Sequence, residues 1–389
     1  MQIWFLSIIY IFSFENKLID AMVFKTSNHE IVKQFKEKLG VSDVHYKPEL
    51  ALYLNRLEHK EDSLINIISD AIGTIKYQDL LQQDDVLYST PWGGEIVWKP
   101  LAKYLEGKHR VFFSADGLFN HIAIEYLPYH DKPFSEQFEV YRLSSTKELC
   151  YRREKVRPLR AALFGDINYN DEATKPSVSQ QPQYSFRGAG DAGGFADLSH
   201  TRREVDGIQN ILESKGLKKI EQFHDIEASK SAFLGLTDTK VNLLHIATHG
   251  MYRDIKQTEA ESMQNSLLAF AGANIDDSAL VTAADIARMN LRQCDLAVLS
   301  ACETGLGKLG GDGVFGLQRG FKNAGVHTLL MSLKNVYDES TAELMISFYK
   351  HLMNGTSKRE SLVKAQQDIR KKGFNDPKFW ATFILLDAI

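Results

Sequence analysis

A chain of 389 residues exceeds the span of a typical single hydrophobic core and points to two domains. Its 44% hydrophobic and 25% charged residues are those of a folded globular protein, and a formal net charge of −4 excludes the basic surplus that a nucleic-acid partner requires. Three cysteines, Cys150, Cys294 and Cys302, show neither CxxC spacing nor a disulfide framework, which predicts a reducing, cytoplasmic setting without a metal site or cofactor.

The first fourteen residues, MQIWFLSIIYIFSF, are strongly apolar. The first basic residue, Lys17, follows the run, and the run is shorter than the roughly 20 residues of a membrane-spanning helix. A buried strand or irregular start is expected, with a targeting segment as the alternative, and no membrane partner. Next come a strand at AMVFK (21–25), a helix over 29–40 closed by Gly40, and a longer helical stretch from Pro48 to Leu81. A helix over 98–107, a strand at RVFFSADG (110–117) and a strand at EVYRLSS (139–145) complete an N-terminal α/β subdomain over 1–155. The second domain, 156–389, opens with the strand RAALFG (160–165).

Between Asp166 and Ser199 periodicity vanishes and Gly, Ser, Gln, Asn and Pro dominate, which predicts a long exposed loop. Beyond it, helix 201–216 carries Val205, Ile208, Ile211 and Leu212 on one face and stops at Gly216. The strand KKIEQF, the helix EASKSAFLGL and the near-continuous apolar run VNLLHIATHG (241–250) follow, the last being the pattern of a strand buried on both faces. A strand at 266–274 precedes a helix at 282–289 with Thr282 as cap and Asp285 three residues on. DLAVLSAC (295–302) is a second buried strand, 313–325 a helix, and VHTLLMSL (326–333) a strand. Two amphipathic helices, 338–355 and 357–373, lead to the closing strand FWATFILL. Alternation of this kind makes an α/β fold with a largely parallel sheet.

Ligands of open α/β sheets bind beyond the carboxyl ends of the strands. Two of the buried strands end in reactive side chains, His249-Gly250 and Ala301-Cys302. If the strands are neighbours, Cys302 is placed as a nucleophile and His249 as its proton-transfer partner, with the backbone N–H groups of Gly250 and Cys302 as an oxyanion site. Gly250 would give the backbone room to approach a substrate, and a helix beginning near Gly313 would lend its dipole to the thiolate. Each residue alone reads as well as a packed structural group. A rival reading takes Gly305, Gly307 and Gly310 as a dinucleotide-binding turn, although Cys302, Glu303 and Thr304 stand before the first glycine, which that turn would place almost directly after the strand.

With LLHIATHG, LAVLSACETGLGKLGGDGVFGLQRGFKNAGVHTLLMSLKNVYDEST, FYKHLMNG and FWATFILL in view, the chain resembles the CHAT family, caspase-like cysteine peptidases related to separase and the caspases. The resemblance implies a caspase-like three-layer sandwich beside a degenerate N-terminal subdomain. It also implies cleavage of a protein or peptide substrate by a His249 and Cys302 dyad, with a catalytically silent interaction scaffold as the alternative. In caspase-like folds the strand after the nucleophile helix, here VHTLLMSL, pairs with extended substrate. Ser332 and the residues beyond it would then wall a specificity pocket with Asp338 at its base, preferring a basic residue. Asp338 reads equally as the cap of its own helix. Lys334 stands where the family usually has tryptophan, and no tetratricopeptide array precedes the domain. A regulator of tetratricopeptide or other type would therefore be separate, absent or encoded upstream.

Overall fold

The computed structural model describes residues 8–13, 18–21, 84–115, 117–150, 160–170, 194–252, 259–310 and 313–389. The helices expected over 29–40 and 48–81 lie outside them, as does most of the strand expected at 21–25 and most of the loop expected over 166–199. The described chain forms two compact units, one of Met1–Glu154 with Leu386–Ile389 and one of Lys155–Leu385.

In the first unit the apolar start forms β1 (Ile8–Ser13), rich in the β-branched and aromatic residues that suit a strand. It lies antiparallel between β2 (Leu18–Ala21) and β3 (Arg110–Ser114), and β3 runs parallel to β4 (Glu139–Leu143). The core centres on Trp98, fully buried, whose ring stacks on Phe134 at 3.8 Å between centroids while its Nε1–H donates to the Ile124 carbonyl. The buried Arg142 guanidinium makes a two-pronged pair with Glu125 at 3.0 and 2.7 Å and donates to the carbonyls of Phe119 and Ile122, so the enclosed charge is met on every side. Asp387, from the end of the chain, accepts from the amide and hydroxyl of Ser144.

The second unit is a three-layer α/β body. Its strands are β5 (Arg160–Ile167), β6 (Lys219–Asp225), β7 (Leu243–Ala247), β11 (Leu296–Ser300), β14 (Thr328–Ser332) and β15 (Phe383–Leu386), in the spatial order β15-β14-β11-β7-β5-β6. Pairs β6–β5, β5–β7, β7–β11 and β11–β14 are all parallel. Every residue of β7, β11 and β14 is buried, as continuous apolar runs require when helices cover both faces. On one face lie α1 (Ser199–Ser214) and α6 (Asp338–Met353), flanked by α7 (Lys358–Lys371). Gly165 of β5 admits α1 closely, since a Cβ there would stand 2.8 Å from Val205 Cγ1. On the other face an aromatic cluster joins Phe164 and Phe223 of the sheet to Phe233 of α2 (Lys230–Leu234), Phe270 and Phe321 of α5 (Leu317–Ala324).

Local signals explain most boundaries. Val205, Ile208 and Leu212 of α1 are buried and Gly216 stops it at φ +86°, while Ile211 is only half buried. A complete capping box between Thr282 and Asp285 starts α4 (Ala283–Ala287). An antiparallel group of β8 (Gly250–Tyr252), β9 (Ser266–Ala269) and β10 (Leu280–Thr282) sits beside α3 (Glu259–Asn265), a helix the periodicity did not reveal. Two expectations are corrected. Residues 313–316 are not helical: β12 (Gly307–Gly310) and β13 (Gly313–Gly316) form an antiparallel hairpin, and α5 starts only at Leu317. The first half of FWATFILL is a short helical turn, Pro377–Trp380, and only Phe383–Leu386 is a strand.

Candidate active site

β7 and β11 are neighbours. Their register pairs Leu243 with Leu296 through to Ala247 with Ser300, and the Thr248 amide extends the ladder to the Ser300 carbonyl at 3.4 Å. The same register carried two residues further sets His249 beside Cys302, which places both at the carboxyl edge of the sheet. Cys302 is fully buried and His249 is 1% exposed.

The imidazole is held from three directions. Its Nε2 lies 2.6 Å from the carbonyl oxygen of Ala196. A carbonyl only accepts, so Nε2 carries the proton and Nδ1 presents the lone pair in the neutral ring. The Tyr169 ring stands edge-on at 5.0 Å and the Phe195 ring is tilted at 5.3 Å. The Tyr169 hydroxyl lies 2.9 Å from Thr248 Oγ1, which donates to the Ala269 carbonyl.

The sulfur is held by the turn that follows it. Glu303 adopts a left-handed conformation at φ +52°, unusual for a residue with a side chain, and reverses the chain directly after Cys302. Burial raises the Glu303 carboxyl above the usual carboxylate range. The end of β14 clamps the turn. Ser332 Oγ donates to the Ala301 carbonyl at 2.5 Å, the Gly305 amide to the Ser332 carbonyl at 2.7 Å, and the Glu303 amide to the Lys334 carbonyl at 3.2 Å. The Val336 amide then donates to Cys302 Sγ at 3.2 Å, and the thiol in turn stands 3.8 Å from the Val336 carbonyl, to which it donates. Cys294 has no such setting: burial, then the charge of Asp295, push its thiol up to about 12.

Below the pair lies a buried polar network. Glu204 Oε1 of α1 accepts from Ser300 Oγ at 2.7 Å and stands 3.0 Å from His245 Nε2, while Tyr349 Oη of α6 lies 3.3 Å from His245 Nδ1. One carboxylate is thus bonded to Ser300 of β11 and lies against His245 of β7, the two strands whose ends carry Cys302 and His249. Burial, then the Glu204 charge, raise the Tyr349 hydroxyl well above its ordinary value, which keeps it a neutral donor.

Each of the remaining predicted residues is engaged with other parts of the chain itself. Gly250 is required by the protein's own backbone: a Cβ there would stand 2.3 Å from the Cys302 carbonyl oxygen. Ser332 is fully buried and donates to the Ala301 carbonyl, behind the turn that follows Cys302. Its strand β14 lies between β11 and β15, so neither edge is open to an extended peptide as the resemblance implied. Lys334 is buried at 3% exposure behind the same turn. Asp338 does not cap its own helix, whose N-cap is Tyr337. Its Oδ2 accepts the His200 amide at 2.9 Å and meets His200 Nδ1 at 3.0 Å, at the start of α1. The dinucleotide reading also fails, because Gly307 and Gly310 belong to a hairpin and not to a strand-to-helix turn; the same hairpin separates Cys302 from the helix dipole expected to act on it.

Sequence reasoning missed Tyr169, Phe195 and Ala196. They lie inside the stretch of 166–199 read as an exposed loop, yet Tyr169 is 1% and Phe195 8% exposed, so the expectation of exposure fails at both ends of that stretch. Two aromatics and Leu198 at the margins of a polar stretch were the available signal.

The family model for the CHAT domain matches residues 94–388. Tetratricopeptide repeat protein 28 of Mus musculus and that of Homo sapiens are each 33% identical to this chain over 110 residues, 28% of this chain and 4% of theirs, so the chain spans a small fraction of those relatives. Among solved structures, the complex of Porphyromonas gingivalis RgpB pro- and mature domains is similar at TM-score 0.48 and 11% identity, over 94% of this chain and 77% of that one. The Saccharomyces cerevisiae separase-securin complex is similar at TM-score 0.42 and 14% identity, over 68% of this chain and 15% of that one.

Proposed function

We propose that this chain, which belongs to the CHAT domain family, is a cysteine endopeptidase that cleaves protein substrates with Cys302 as nucleophile and His249 as its acid and base. The observation that carries the reading is the parallel register of β7 and β11, which brings both reactive residues to one edge of the sheet. In the proposed reaction the Cys302 thiolate attacks the scissile carbonyl carbon. The amides of Gly250 and Cys302 stabilise the oxyanion, a contribution of about 3–4 kcal/mol per donor in acyl transfer. The C–N bond breaks as His249 Nδ1 gives its proton to the leaving amine, and water, deprotonated by the same nitrogen, releases the acyl group. Asp338 is proposed as the anionic base of a pocket for a basic substrate residue, sharing its carboxylate with His200. Action in the cytoplasm, under control of a tetratricopeptide-type or other regulatory protein, belongs to the same proposal; the curated relatives are named for that repeat.

Full burial of Cys302 and near-full burial of His249 favour a second reading, a catalytically silent interaction scaffold. Labelling with a thiol-reactive peptide electrophile separates the two. The peptidase reading expects adduct formation at Cys302, slowed roughly 10²–10⁴-fold in His249→Ala, and peptide cleavage abolished in a folded Cys302→Ala protein. Labelling indifferent to His249, or turnover surviving Cys302→Ala, overturns it.

A further inference from the structure

We infer that Asn274 is a positioning residue for His249, acting through the backbone of Phe195 and Ala196; as a role in catalysis this rests on the peptidase reading above. Asn274 lies in the turn after β9. Its Oδ1 accepts the Phe195 amide at 2.7 Å, and its Nδ2 donates to the Phe195 carbonyl at 2.9 Å and to Asn170 Oδ1 at 3.0 Å. One side-chain amide thus grips both polar groups of a single residue. The orientation is fixed by its partners, because rotating the amide by half a turn would set donor against donor and acceptor against acceptor.

The residue after Phe195 is Ala196, whose carbonyl holds His249 Nε2. A carbonyl oxygen can choose the tautomer of an imidazole only if its own direction is fixed, and in an irregular segment no ladder fixes it. Asn274 supplies the missing constraint. The turn bearing it is itself anchored, with the Asn274 amide donating to the Tyr169 carbonyl at 2.8 Å and the Gly272 amide to the Asn168 carbonyl at 3.0 Å. Tyr169 and Phe195, the two rings against His249, therefore come from the two segments bound to this one turn. A third group that orients the base is a recurring requirement of nucleophile and base pairs, and here it is a backbone carbonyl held by an asparagine.

The test reads the tautomer directly. In full-length protein carrying ¹⁵N-labelled imidazoles, with the His249 signals assigned from His249→Gln, the parent chain should show the Nε2–H form. Asn274 is exposed, so Asn274→Ala leaves no core void. That variant should lose the dominance of this form, and a thiol-reactive peptide electrophile should label Cys302 roughly 10- to 100-fold more slowly, as expected for a misplaced catalytic group. Asn274→Asp keeps the acceptor for the Phe195 amide but not the donor to its carbonyl, and should fall between. An Nδ1–H parent, or a folded Asn274→Ala protein with parental tautomer and labelling rate, overturns the inference. If the tautomer shifts in the variants while the parent neither labels nor cleaves peptides, the positioning of His249 stands and the peptidase reading fails.

Discussion

Gly250 shows how one missing side chain can set the geometry of a site. The backbone of β8 passes over the Cys302 carbonyl so closely that a methyl group would stand 2.3 Å from its oxygen, and backbone cannot swing aside as a flexible side chain does. Gly250→Ala should therefore displace the turn at Cys302, with a cost of about 1–3 kcal/mol in urea unfolding and a marked loss of Cys302 labelling. Parental stability and labelling in that variant would show that the turn tolerates the shift. Asp338 permits a second test at this scale. Asp338→Asn keeps an acceptor for the His200 amide and removes the charge, so it should abolish any preference for Arg or Lys over Leu or Met in a cleaved peptide library; an unchanged preference excludes the pocket. The placement of His249 and Cys302 just beyond strand ends was legible in the sequence because each ends an apolar run long enough to be a buried strand. Ala196 was not, since a backbone carbonyl serves whatever side chain it belongs to.

Among elements, those with side-chain periodicity or explicit stop signals were readable and those built on glycine were not. The hairpin β12–β13 reads as a glycine-rich turn because glycines erase the alternation that marks a strand. Its glycines serve close backbone approach: a Cβ at Gly307 would lie 2.5 Å from the Phe315 carbonyl oxygen, and one at Gly316 as close to that of Leu306. At the opposite extreme, the capping box of α4 was plain from Thr282 and Asp285 alone. Burial draws the Asp285 carboxyl upward, but the Thr282 amide and Lys230 outweigh it and hold the group below its ordinary value. A carboxyl depressed in the folded state adds stability above its unfolded value, near pH 4, and that stability is lost as pH falls through the folded value. Unfolding midpoints in urea from pH 6 to pH 3 should accordingly decline less steeply for Asp285→Asn than for the parent. Thr282→Ala should cost about 1 kcal/mol at neutral pH through the lost cap. Parallel acid profiles for parent and Asp285→Asn would remove Asp285 from the acid response.

For the whole molecule, chain order and spatial order part company around residues 171–193, and this decides what a break there would do. β5 precedes the segment in sequence, yet it lies between β6 and β7, both of which follow it. A cut within 171–193 would thus leave an N-terminal fragment whose strand is hydrogen-bonded on both edges to the C-terminal fragment. Both flanks of the segment are also tied to one turn, Asn168 and Tyr169 on one side and Phe195 on the other. The composition of 171–193, poor in large apolar residues and rich in Gly, Ser, Gln and Pro, predicts that a protease finds its first accessible bonds there. Brief digestion with a protease of broad specificity should yield two fragments that co-elute under native conditions and separate only in denaturant. The nicked protein should keep its Cys302 labelling rate, because the bonds that hold Ala196 against His249 lie outside the cut. First cuts inside β5, α1 or β7 would instead show that the composition of 171–193 does not direct the protease there, and fragments that separate without denaturant would show that the pairing of β5 does not hold them.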